Sequence, residues 1–317
     1  MILQSLNIGK ANLEEFSATL MELAGNDRDI LVVTSDSRGS GKLVPFGVKF
    51  PDQIVEVGIA EQNLVGVAAG LASAGKNVFA VSPACFLTTR SLEQIKNDVA
   101  YSDQPVTLVG ISAGVSYGAL GSTHHSLHDV AVLRAIHNIQ IVVPADNFET
   151  RQAILAASES KKPIYLKFGK KSMPNLPRVE EKFEIGKASV ICKGDEIAFI
   201  ACGETVAPAY EAARLLEGKG IRAEVISMHT IRPLDSAAIV EVARRCKAVV
   251  TVEEHCVNGG LGEACASLLM QQRIFIPLKI VGFPDEETVT GSQTEIFNYY
   301  GISGTGLMET ALKLLEP

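Results

Sequence analysis

At 317 residues the chain has room for two domains of ordinary size, each with its own buried core. Hydrophobic residues make up 47% and charged residues 21%, the balance of a soluble globular protein, and with no tryptophan the cores fall mainly to Ala, Val, Ile and Leu. A net charge of -7 excludes a general nucleic-acid binder, which needs a basic face for phosphates, but leaves room for a local basic site for a small anion. The six cysteines, at 85, 192, 202, 246, 256 and 265, form no C-x-x-C pair and no zinc-ribbon spacing, so reduced thiols in apolar stretches are expected. Met1–Leu6 lacks the charged and apolar regions of a leader, and the least polar run, Leu64–Gly75, is too short to span a bilayer. A cytoplasmic protein that engages no membrane is expected.

Short β-rich runs alternate with helix-period segments, the pattern of α/β folds with mainly parallel sheets. In the first half the predicted strands are Ile30–Thr34, Gln53–Val57, Val78–Val81, Val106–Ile111, Ile139–Val143 and Ile164–Phe168. Helices are predicted over Asn12–Leu23, Glu61–Ala74, Leu92–Ala100, Asp129–Ile136 and Asn147–Glu159. Gly169–Glu184, with Lys170, Lys171, Pro174, Pro177 and the pair Glu180-Glu181, carries no periodicity and reads as a linker. Beyond it, strands are predicted at Ala188–Ile191, Ile197–Cys202, Ala223–Ser227, Ala248–Glu253 and Pro277–Val281, with a closing helix over Thr305–Leu315. The expected fold is α/β: two open, mainly parallel sheets with helices on both faces, in separate domains over 1–170 and 185–317, joined by 171–184.

In such sheets ligands bind beyond the carboxyl ends of the strands, which decides which polar clusters merit weighing. Val57-Gly58-Ile59-Ala60-Glu61-Gln62-Asn63 places a carboxylate where a strand ends and an Ala/Gly-rich helix begins. Glu61 either complements the positive end of the helix dipole or is a partly buried acid that shares a proton with a ring nitrogen of a ligand. Gly118 to Asp129 gathers three His and an Asp, and positions 124 and 128 are spaced to share a helix face. His124, however, falls in a loop and no fourth metal ligand has the right spacing, so an acid–base or hydrogen-bonding role is favoured for it, with Asp129 as a first-turn acid. Ser37-Arg38-Gly39-Ser40-Gly41-Lys42 fails as a phosphate loop, because Leu43 stands where Ser or Thr is required. The glycine cluster Gly259-Gly260-Leu261-Gly262 is explained equally well by close helix packing. Lys167, Lys170 and Lys171 end the first sheet, either as an anion site or as a solvated edge.

Taken in order, these pieces resemble the pyrimidine-binding and C-terminal domains of transketolases over nearly the whole chain. The residues that carry the resemblance are Glu56-Val57-Gly58-Ile59-Ala60-Glu61-Gln62-Asn63, Ala68-Ala69-Gly70-Leu71-Ala72, Phe86-Leu87-Thr88-Thr89-Arg90, Gly121-Ser122-Thr123-His124 and Val143-Pro144-Ala145-Asp146. The family includes 1-deoxyxylulose 5-phosphate synthase and the beta subunits of 2-oxoacid dehydrogenases, and the Thr-His pair is closer to the transketolase and synthase branch. The resemblance implies a thiamine diphosphate enzyme. In it Glu61 contacts the ring nitrogen of the cofactor's aminopyrimidine amid apolar Gly58, Ile59 and Ala60, Phe86 stacks on that ring, Arg90 adjoins the cofactor, and His124 hydrogen-bonds substrate oxygens. It also places Ser40, Leu120, Lys167 and Lys170 on the substrate side.

The Gly-Asp-Gly motif with which transketolases hold Mg²⁺ and the diphosphate is missing; Lys193-Gly194-Asp195-Glu196 is the nearest approach and lies in the wrong half. The resemblance therefore implies a separate diphosphate-binding subunit that supplies the Mg²⁺ or Ca²⁺, an α₂β₂ assembly, and homodimer contacts through both domains. The expected activity is that of the B subunit in a two-subunit transketolase: transfer of a two-carbon ketol unit from a ketose phosphate to an aldehyde or ketone. The alternatives are a synthase-like or dehydrogenase-like subunit that decarboxylates a 2-oxo acid, and a non-catalytic regulatory subunit. Where transketolases usually have Gly-Glu-Asp-Gly, with the Asp reading a sugar hydroxyl, this chain has Gly118-Ala119-Leu120-Gly121. Ser112 replaces a His, Pro83 an aromatic, and Lys167 and Lys170 stand where arginines are common, so a substrate other than the ordinary pentose phosphates is expected.

Overall fold

The computed structural model describes residues 6–316; of the N-terminal stretch weighed as a leader, Met1–Ser5 lies outside the described residues. In chain order the strands are β1 (Ile8–Ala11), β2 (Ile30–Thr34), β3 (Ile54–Glu56), β4 (Asn77–Pro83), β5 (Val106–Ile111), β6 (Gln140–Val142), β7 (Ile164–Lys167), β8 (Ser172–Pro174), β9 (Ser189–Cys192), β10 (Ile197–Ala201), β11 (Ala223–Ser227), β12 (Thr230–Arg232), β13 (Ala248–Cys256) and β14 (Leu278–Phe283). The first sheet has the order β12-β6-β7-β5-β4-β2-β3 and the second β14-β13-β10-β11-β9. Both are parallel except at one edge each, where β12 runs against β6 and β9 against β11. The α/β class expected from the sequence is the class found.

Strand pairing follows from which faces are buried. Val32, Val81 and Val109 point to one face of the first sheet, under Leu13, Phe16 and Leu20 of the helix Asn12–Asn26. Their neighbours Val33, Ala80 and Leu108 point to the other, under Leu64, Val65 and Ala68 of the helix Glu61–Ser73. The period of two puts apolar residues on both faces of the central strands, which is why they read as near-continuous hydrophobic runs.

The two halves are less separate than the sequence pattern implies. β12, which comes after the linker, closes the edge of the first sheet against β6. The apolar core over one face of the first sheet also continues without a break into Ile226, Met228, Ile239, Val249 and Leu261 of the second half. The linker is itself anchored: β8 pairs antiparallel with β1, and Arg178, nearly fully buried, donates to Asp146 at 2.6 Å. Asp146 also accepts from the amide of Leu176 and caps the helix Asn147–Glu159.

Where strands of the two sheets end toward one another, acids are buried in the seam. The Gln293 amide donates to Glu204 Oε2 at 2.6 Å and to Glu254 Oε1 at 2.9 Å, so one side chain bridges two carboxyl groups. Burial pushes both above the ordinary carboxylate range, and repulsion from Glu254 helps to carry Glu204 to about 8. Burial also raises Glu253 to about 7, although the amides of Leu261 and Gly262 donate to it. Each of these groups keeps its proton in the fold at pH values where the unfolded chain has released it. Stability therefore falls as the pH rises from the ordinary carboxylate range through the raised values. The share of the thermal midpoint that these three groups contribute is expected to drop between about pH 5 and about pH 8. Glu204→Gln, which keeps an acceptor and removes the charge, should raise the midpoint at the upper pH by roughly 2–4 °C and leave it unchanged at the lower one. Thermal unfolding followed by circular dichroism at the two pH values checks this, and an equal effect at both contradicts it.

Candidate active site

β3 ends at Glu56, and its carboxylate gathers the loops around it: Oε1 accepts from the amides of Asp36 at 2.7 Å and Gly58 at 3.0 Å. Gly58 turns the chain with φ of 72°, a conformation that disfavours a Cβ, and the helix opens at Glu61. Glu61 is only 4% exposed, and its Oε1 accepts from Arg90 Nη1 at 3.0 Å. The apolar surroundings expected from Gly58-Ile59-Ala60 are not what encloses it, because Ile59 is 74% exposed and turns outward. Instead Ile59, Ala60, Glu61, Gln62, Asn63 and Arg90 line an open cleft of about 580 Å³.

Arg90 comes from the helix Ala84–Arg90, which leaves the carboxyl end of β4 and which no sequence periodicity marks. One helical turn places Phe86 on the same side as Arg90, and the guanidinium carbon lies 4.2 Å from the centre of the Phe86 ring. Beyond Phe86 stands His124, edge-on at 5.4 Å between ring centres, and then Tyr117 at 5.3 Å from His124. The Lys170 ammonium lies 4.6 Å over the Tyr117 ring. Glu61, Arg90, Phe86, His124, Tyr117 and Lys170 thus form one continuous row, with the His124 Nδ1 2.9 Å from the Thr123 hydroxyl. Tyr117 is not among the residues expected from the sequence; its only signal there is its place in the loop ahead of the Thr-His pair.

The other expected residues fall differently. Leu120 sits in the 3-10 turn Gly118–Thr123 with 55% of its surface exposed. Ser40 stays within its own turn after β2, its hydroxyl donating to the Ser37 carbonyl at 3.2 Å. Lys167 requires a correction. Its ammonium points inward, donating to Asp129 Oδ1 at 2.8 Å and to the Glu254 carbonyl at 3.1 Å, and with 5% exposure it cannot reach a substrate anion. Asp129, expected as a first-turn acid, is fully buried and also accepts from the Tyr165 hydroxyl at 2.7 Å. Burial works against its charge, yet the Lys167 ammonium beside it holds its carboxyl below the ordinary range. Burial lowers His255 to about 4, so a neutral imidazole faces this pair. Of the loop histidines, His125 is buried and bonds the Gly118 carbonyl at 3.0 Å, while His124 lies in the row. Among the described residues no group of three or more His, Cys, Asp and Glu is placed to hold a metal ion.

This arrangement can do two things chemically: offer a hydrogen-bonding carboxylate near an aromatic face, and present an imidazole a short way further along. Comparison with known proteins gives the row its context. Residues 10–175 match the family described as "Transketolase, pyrimidine binding domain" and residues 186–307 that described as "Transketolase, C-terminal domain". The chain is 44% identical over 304 residues to the B subunit of apulose-4-phosphate transketolase from Phocaeicola vulgatus, covering 96% of this chain and 97% of that one. It is 39% identical over 290 residues to the protein of the same name from Actinobacillus succinogenes, covering 91% and 93%. Among solved structures it is similar to a split gene transketolase, described as an inactive beta4 tetramer, with 35% identity, a TM-score of 0.88 and coverage of 97% of this chain and 99% of that chain. With both domains matched in order across almost its whole length, the chain belongs to the transketolase family and carries that family's pyrimidine-binding and C-terminal domains.

Proposed function

We propose that the chain is the B subunit of a two-subunit, thiamine diphosphate-dependent transketolase, moving a two-carbon ketol unit from a ketose phosphate to an aldehyde or ketone acceptor. The observation that carries this reading is the row in which Arg90 joins the Glu61 carboxyl to the Phe86 ring and the His124 imidazole stands edge-on beyond that ring. It fits the pyrimidine end of the cofactor: an acid for a ring nitrogen and an aromatic face for the ring. Thiamine diphosphate, when bound, supplies the carbon–carbon bond chemistry. Glu61 then holds the proton shared with the ring nitrogen, Phe86 fixes the ring by stacking, and Arg90 gives way at Glu61. His124 binds and orients substrate oxygens and moves a proton at them, and Lys170 attracts the anionic end of a sugar phosphate.

A second subunit is proposed to hold the diphosphate with Mg²⁺ or Ca²⁺, in an α₂β₂ assembly with contacts between copies of this chain through both domains. Two supports are independent of the site. The relatives are named as B subunits over nearly the same length. The beta4 tetramer of the split gene relative is described as inactive. In Leu120 an apolar, half-exposed side chain stands where the family's usual aspartate reads a hydroxyl. That favours a ketose lacking this hydroxyl, and apulose 4-phosphate, for which the two relatives are named, is the first donor to try.

The reading is tested on the complex reconstituted with a diphosphate-binding partner. Glu61→Ala should lower kcat by about 100-fold or more, the scale of a lost proton-transfer group, and equal turnover without the carboxylate contradicts the proposal. No CO₂ should be released from pyruvate; its release would favour the synthase-like alternative. Leu120→Asp should shift preference toward ketoses that carry the hydroxyl by about tenfold, measured as a ratio of kcat/KM values, and an unchanged ratio removes Leu120 from substrate selection.

A further inference from the structure

The loop that carries Tyr117, Leu120 and His124 leaves β5 at Ile111 and returns to a helix at Asp129. The loop is closed on itself by the Ser126 amide donating to the Gly114 carbonyl and is tied to its own sheet by the Ala113 amide donating to the Phe168 carbonyl. Its other anchors come from the C-terminal domain, chiefly from one residue near the end of β13. The Glu254 carboxyl group accepts from the Val115 amide at 2.9 Å, close to where the loop begins. Gly114 lies so near that a Cβ there would stand 2.1 Å from Glu254 Cδ, and its φ of 60° favours glycine as well. Where the loop ends, Lys167 joins the two elements, donating both to Asp129 and to the Glu254 carbonyl. The next residue but one, Cys256, donates its amide to the Leu127 carbonyl at 2.9 Å. In the middle, a Cβ on Gly118 would stand 2.5 Å from the Gly291 carbonyl, so the loop lies directly against C-terminal backbone. Gln293, two residues further on, holds the same Glu254 oxygen at 2.9 Å.

We infer that Glu254 is a positioning residue for the transfer reaction: by holding the start of the loop with its carboxyl group and the end through its carbonyl, it fixes where His124 stands against Phe86. This gives the C-terminal domain a part in substrate transfer while leaving the Glu61 end of the row to the pyrimidine-binding domain. It rests on the reading of His124 as a substrate-binding group. A carboxyl group buried with two amide donors is a stiff anchor, because letting go leaves the acid without partners in the interior.

The test compares Glu254→Ala with Glu254→Gln in the reconstituted complex, with a Gln side chain still offering an oxygen to the Val115 amide. Hydrogen exchange of residues 113–128, kcat and KM for the ketose, and cofactor affinity are measured together. Glu254→Ala should speed exchange of the loop by about tenfold, lower kcat/KM by about tenfold and change cofactor affinity by less than about twofold. Glu254→Gln should restore loop protection and kcat/KM to within about threefold of the native complex. Unchanged exchange in a folded Ala variant, or equal losses in both variants, overturns the inference. Should the Ala variant fail to fold, Gln293→Leu removes the other donor to Glu254, and unaltered loop exchange and KM there overturn it in the same way. Full turnover by His124→Ala would instead sink the role of His124 while leaving the exchange result for Glu254 standing.

Discussion

Lys167 carries its positive charge into the interior, between the carboxyl end of β7 and the second sheet, and a buried ammonium is tolerable only where partners surround it. Asp129 supplies the opposite charge and the Glu254 carbonyl supplies a further acceptor, while the Tyr165 hydroxyl satisfies the second oxygen of Asp129. Removing one member of such a group leaves the other charged and unpaired, at a cost of about 3–5 kcal/mol. The constraint spreads outward. It fixes the first turn of the helix Asp129–Arg134, hence the end of the loop ahead of it, and it ties that loop to β13 of the other domain. Burial of the other acids in the seam raises Glu204 to about 8 and Glu253 to about 7, so at lower pH they are held in the fold as acids rather than as paired charges.

The row along the site is arranged differently. It lies on the open side of the strand ends, and its members touch through faces and edges of rings more than through ion pairs. Arg90 occupies both the Glu61 carboxylate and the Phe86 ring, the two surfaces that the proposed reading assigns to the cofactor's aminopyrimidine. Its side chain is half exposed while its partner Glu61 is buried, so moving it aside leaves the Glu61 carboxylate needing another partner in its place. On the proposed reading these surfaces would receive a flat, basic heterocycle, and the cleft beside Glu61 is open.

Much of this is legible in the sequence, and the gaps have physical reasons. β2, β5 and β11 fall at the expected residues, because strands buried on both faces leave unbroken apolar runs. β1, β8 and β12 leave no such trace: each has three or four residues, sits at an edge and contains Lys, Pro or Arg, so no periodicity marks it. Glu61, Phe86 and His124 stand out through motif order, and the structure places them together. Lys167 does not, because a lysine at a strand end looks the same in sequence whether it meets solvent or a buried aspartate. Asp129 and the run Glu253-Glu254-His255 are silent for the same reason, since only the packing of the second sheet against the first buries them.

The central claim is that this chain forms one half of a cofactor site and is completed by a diphosphate-binding partner. It is tested most directly by titrating thiamine diphosphate with Mg²⁺ into the chain alone and into its mixture with that partner, following the heat of binding. Saturable binding in the mixture only, lost in Glu61→Ala, is the expected result. Equally tight binding to the chain alone would contradict the claim.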